Sequence, residues 1–206
     1  MSKLKPIKVP EIRFKYGWLL TDAFYNYRKM IPKFKKEKPP TWKKMRVLIK
    51  DQKKVWKKDE KKIIKAMQKI IGLNFYQNLI DVYIVDGHKS AFSDPMVINY
   101  RYHGEGFVDV LTHELLHRLL TDNMQGKNGG SWPHKIYPKI KNRTTIYHIL
   151  VHAIHQEVYL NVLKRPDRLK HDIEKCKQWP SYHRAWNIVE RDGHMNIINQ
   201  FKKSKK

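Results

Sequence analysis

The chain has 206 residues, 41% hydrophobic and 30% charged, with 43 Lys/Arg against 19 Asp/Glu and a formal net charge of +24. That length fits one domain, or a domain with an appendage, and 6 Trp, 7 Phe and 11 Tyr suffice for a buried core. No apolar run approaches the roughly 18 residues of a membrane span, the basic residues 1–10 lack the apolar centre of a secretory signal, and the single cysteine, Cys176, excludes a disulfide framework or a thiolate-rich zinc site. A cytoplasmic, reducing setting is the expectation.

The charge is uneven. Residues 1–70 hold 23 Lys/Arg and 6 Asp/Glu, a balance of +17, whereas the other 136 hold 20 and 13, a balance of +7. Such a surface attracts nucleic acid, acidic proteins or anionic membrane without sequence selectivity. Nucleic acid or an acidic protein is the expected extra partner through this basic first third, with no membrane association.

Residues 1–16 read as extended and polar, followed by a short helix to about Met30. Pro32 and Pro39-Pro40 punctuate a Lys-rich connector. Thr41 is placed to cap a long helix that Gly72 stops, with a break possible near Lys57-Lys58-Asp59. The period then changes. Residues 81–86 and 96–102 are β-branched and aromatic and read as strands, with 91–94 irregular between them. A helix is expected over about 107–121, a loop over 122–144, a helix over 145–163, a short charged helix over 167–177 and another from Pro180 to Gly193. A final turn reaches about Phe201. By composition, residues 1–40 form a basic N-terminal segment, 41–201 one domain and 202–206 a disordered basic tail. The fold class is α+β, mainly helical with a small sheet.

The helix over 107–121 carries Thr112-His113-Glu114-Leu115-Leu116-His117. Its two histidines lie one turn apart and project from one face toward a shared point, the arrangement that holds zinc. Glu114 stands beside them, in reach of a metal-activated water for which it would be the general base. Leu111, Leu115 and Leu119 recur on another face and give the helix an apolar side to bury.

The motif and the element order over roughly residues 41–163 resemble the zincin metallopeptidases, most closely in outline the compact gluzincin-like forms called minigluzincins. The order is a long backing helix, a small sheet, a His-Glu-x-x-His helix, a loop and a second ligand-bearing helix. The resemblance implies Zn²⁺ as cofactor, a polypeptide substrate, and a strand before the active helix, here 96–102, along whose edge the substrate pairs.

A hydrolytic zinc site takes three protein ligands and keeps one position open. On the second helix His148, His152, His155 and Tyr159 fall within about 60° of one another, a polar stripe on an apolar helix. His152, central in the stripe, is the preferred third ligand, with His113 and His117. His148 and His155 would then support ligands or touch substrate, and Tyr159 could steady an oxyanion. The gluzincin pattern asks for a glutamate, and Glu157 is the one available. However, Val158 to Asn161 depart from the acidic signature that follows it in that family. His134, in the loop, would resemble the Spartan/SprT-type proteases that act on DNA-bound proteins, but Trp132-Pro133-His134-Lys135 lacks their glycine-flanked histidine. The expected function is peptide-bond hydrolysis by a zinc-activated water. The alternative is a basic, nucleic-acid-associated protein of the same shape, Spartan/SprT-like or catalytically vestigial.

Overall fold

The computed structural model describes residues 9–123 and 132–204. In chain order these form β1 (Glu11–Tyr16), α1 (Trp18–Lys29), a 3-10 turn (Pro32–Phe34), α2 (Trp42–Lys57), α3 (Glu60–Ile71), β2 (Leu79–Val85), β3 (Phe92–Ser93), β4 (Met96–Asn99) and α4 (Gly104–Asn123). Then follow α5 (Trp132–Ile136), α6 (Arg143–Glu157), a π-helical turn (Val158–Leu163), α7 (Pro166–Cys176), α8 (Pro180–Asp192) and α9 (His194–Ser204). The fold is α+β, mainly helical with a four-stranded sheet. No described helix is long and apolar enough to cross a membrane.

The backbone separates into two compact units, one of Val9–Glu60 with Gln77–Arg118, the other of Lys61–Tyr76 with the described residues from Leu119 onward. The first holds the sheet, in the order β1-β2-β4-β3. β1 runs parallel to β2 from Glu11↔Leu79 to Tyr16↔Ile84, and β2 runs parallel to β4. β3 turns back antiparallel on β4, with Phe92 opposite Val97. Residues 11–29, set apart by composition in the sequence, thus give an edge strand and a helix to the same unit as the sheet. The turn between β1 and α1 requires Gly17, because a Cβ there would stand 2.8 Å from Val85 Cγ1. Buried Asp86, at the end of β2, accepts from the Tyr25 hydroxyl at 2.7 Å and ties α1 to the sheet.

The long backing helix is two helices, α2 and α3, broken at Lys58-Asp59. Thr41 caps α2 by accepting from the Lys44 amide at 3.3 Å, and Gly72, at φ 64°, follows the end of α3. The strand expected over 96–102 stops at Asn99, whose side-chain oxygen accepts from the Arg101 amide at 2.8 Å and turns the chain. That strand lies inside the sheet. The irregular stretch 91–94 supplies the edge instead, as β3. Gln52 of α2 donates to the carbonyl oxygens of Tyr100 and Tyr102, at 3.4 and 2.8 Å. A buried side chain thereby holds the segment that leads into α4.

The second unit is built around α6. Asn142 caps it by accepting from the Thr145 amide at 2.8 Å, and every residue from His148 to His155 is buried. A helix buried on all sides is a core helix. α8 and α9 pack on it, with Trp186, Val189, Ile197 and Ile198 closing its core. The last helix reaches Ser204, so most of the tail expected to be disordered continues α9. Residues 205–206, and 124–131 of the expected loop, lie outside the described residues.

Candidate metal centre

α4 carries its apolar side as the sequence predicts: Phe107, Leu111, Leu115 and Leu119 are fully buried. This fixes the rotation of the helix and with it the direction of its histidines. His113 and His117 bring their Nε2 atoms to 3.1 Å. Two nitrogens that share one tetrahedral ion at about 2.05 Å stand about 3.3 Å apart, so this pair already has the spacing of a chelate. The third member is His148 of α6: one ligand nitrogen from each of His113, His117 and His148 lies within 4.8 Å of the others. The three histidines are close enough to hold a metal ion.

The chemistry of His148 fits a ligand. Its Nδ1 lies 2.6 Å from the Thr144 carbonyl oxygen. A carbonyl only accepts, so Nδ1 carries the proton and Nε2 keeps its lone pair. Burial drives its pKa down to about 4, against the partial opposition of that hydrogen bond, which keeps the ring neutral at pH 7. The Tyr182 ring, 4.2 Å away, backs the imidazole.

Glu114 is 8% exposed, and burial pushes its carboxyl up to about 7. Burial, and after it the charge of Glu114, also raises the Tyr102 phenol, so Tyr102 and Glu114 share one neighbourhood within the first unit. Arg118, next to His117, pairs with Asp94 at 2.5 Å and ties the β3–β4 turn to α4.

The other expected ligands are placed differently. The structure groups His148, one turn earlier, with the α4 pair in the position assigned to His152. His152 is fully buried, and its ring stacks on Trp186 at 4.3 Å and 13°. Glu157 accepts from Asn161 Nδ2 at 2.7 Å and lies 3.0 Å from His194 Nε2, so its carboxylate is engaged elsewhere. His134 sits exposed on α5, its ring 6.4 Å from that of Tyr147. Tyr159 is fully buried, stacked on His155 at 4.3 Å, with the Arg168 guanidinium 5.7 Å from its ring. The spacing rule that named the stripe contained His148 but could not rank it above His152.

His155 gives a stability prediction. Burial, with the Arg168 charge second, lowers its pKa to about 3. The folded state therefore refuses a proton that the unfolded chain takes near pH 6.5. Stability is lost as pH falls below about 6.5, by about 1 kcal/mol per pH unit, until roughly pH 3. Glu114, with its raised pKa, acts in the opposite sense between about 4.5 and 7, so comparison with a variant isolates the histidine. Urea unfolding of His155→Leu at pH 6.5 and 4.5 should show a fall in stability about 2 kcal/mol smaller than wild type. Equal falls would contradict the assignment.

Searches against protein-family models, curated proteins and solved structures find no match to this chain.

Proposed function

We propose that the chain is a zinc-dependent metallopeptidase of the zincin kind. The observation that carries this reading is the convergence of His113, His117 and His148 beside Glu114, on the same helix turn as the first two. Three imidazoles without a thiolate suit a catalytic zinc set with one position left open. The ion would supply Lewis acidity and a water acidified to near neutral pH.

Glu114 is the general base: it takes the proton of the attacking water and returns it to the leaving amine. Its burial raises its proton affinity, which suits both halves of that task. His113 and His117 keep their relative position because the leucine side of α4 is buried, and the Thr144 carbonyl orients His148. β3, last in the sheet order, offers an outer edge to an extended polypeptide, which would add to it as a further strand.

Hydrolysis of unfolded casein by zinc-loaded full-length protein tests the reading. The expected result is cleavage that a chelator abolishes and added Zn²⁺ restores. Cleavage indifferent to chelation, or stoichiometric zinc with no cleavage of casein or a peptide library, would contradict it.

A further inference from the structure

The outer side of α1 has no covering among the described residues. Leu19, Tyr27 and Met30 are 65%, 70% and 80% exposed. With Ala23, they fall within an arc of about 80° on the helix. The opposite side is anchored by buried Thr21 and Tyr25, so the helix cannot roll to hide the stripe. Ile31 follows Met30 at its C-terminal end, also exposed. Among the described residues, seven of twelve exposed large apolar side chains, Trp42 and Val47 among them, come from residues 18–47. Scattered exposure is ordinary, but this concentration is not.

An overlapping stretch is strongly cationic: residues 28–58 hold 14 Lys/Arg and only Glu37 and Asp51 as acids. The connector after α1 doubles back along it. Arg28 pairs with Glu37 at 2.5 Å, its guanidinium covers the Phe34 ring at 4.1 Å, and the Tyr16 hydroxyl donates to the Pro40 carbonyl at 3.3 Å. These contacts fasten the connector to the Arg28 flank of α1, and its Lys33, Lys35, Lys36 and Lys38 are exposed.

We infer that this face docks on an anionic phospholipid surface. Lysines meet the lipid phosphates and carboxylates, at a gain that accumulates per cation. Tyr27 suits the headgroup layer, where a ring with one polar end is at home. Leu19, Met30 and Ile31 decide between partners, because aliphatic side chains offer nothing to phosphates or base faces but enter the acyl boundary readily. The expectation of no membrane association rested on the lack of a spanning helix, and a helix that lies on the surface does not need one. This docking is independent of the metal centre.

The test is sedimentation of the full-length protein with vesicles of phosphatidylcholine alone, or with about one-third phosphatidylserine. Binding to the anionic vesicles only is expected. It should fall at least about tenfold both in Leu19→Ser/Met30→Ser and in Lys33→Gln/Lys36→Gln, with melting temperatures unchanged because these side chains are exposed. Absence of binding to anionic vesicles would overturn the inference. So would vesicle binding that the apolar variant leaves intact, which charge alone explains, or single-stranded DNA bound through these residues in preference to vesicles.

Discussion

Replacing Glu114 with glutamine is expected to lower peptide hydrolysis about a thousandfold while the protein keeps its metal. The substitution preserves the shape of a side chain that is 8% exposed and removes only its ability to take a proton. The fold should not suffer. Burial already drives this carboxyl toward its neutral form, with a pKa pushed up to about 7, and a neutral amide avoids the cost of an ionised group there at higher pH. Turnover and bound zinc measured on one preparation separate the two effects. Loss of zinc in parallel with activity would move Glu114 from proton transfer to metal retention.

His148 carries the second large effect. Losing a group that merely orients a ligand weakens metal binding by roughly 10- to 100-fold, so losing a ligand itself should cost more. His148→Ala is expected to weaken zinc binding by more than about a hundredfold and to abolish hydrolysis. His152→Gln should keep zinc affinity within a few-fold, since that ring stacks on Trp186. Because His148 is buried against Tyr182, His148→Asn and a check that melting stays cooperative distinguish a lost ligand from a lost fold. Equal zinc affinity in His148→Ala and wild type would remove His148 from the centre.

These two positions differ in how legible they were. The placing of Glu114 on α4 between His113 and His117 was readable because it is local: a motif on one helical turn, on a helix whose leucines show their period. Thr41, Gly72 and the break before Glu60 were readable for the same reason, as caps and stops act through adjacent backbone. The rank of His148 over His152 was not readable. Angular position on α6 puts both on one side. What separates them is height along the helix relative to their neighbours, and a side chain far away in sequence decides that: Trp186 takes the face of His152. The stripe also misled as a polarity signal, because α6 is buried on both its polar and its apolar sides. The edge strand was hidden by size. β3 has two residues, too few for an alternating pattern to show, and its presence moved the expected cleft strand to the interior of the sheet.

X-ray absorption at the zinc edge of the zinc-loaded full-length protein tests the centre most directly. Three imidazole nitrogens at about 2.0 Å are expected in wild type. Two should remain in His148→Asn and three in His152→Gln. A wild-type shell with fewer than three imidazoles, or one that loses a histidine in His152→Gln and none in His148→Asn, would contradict the account.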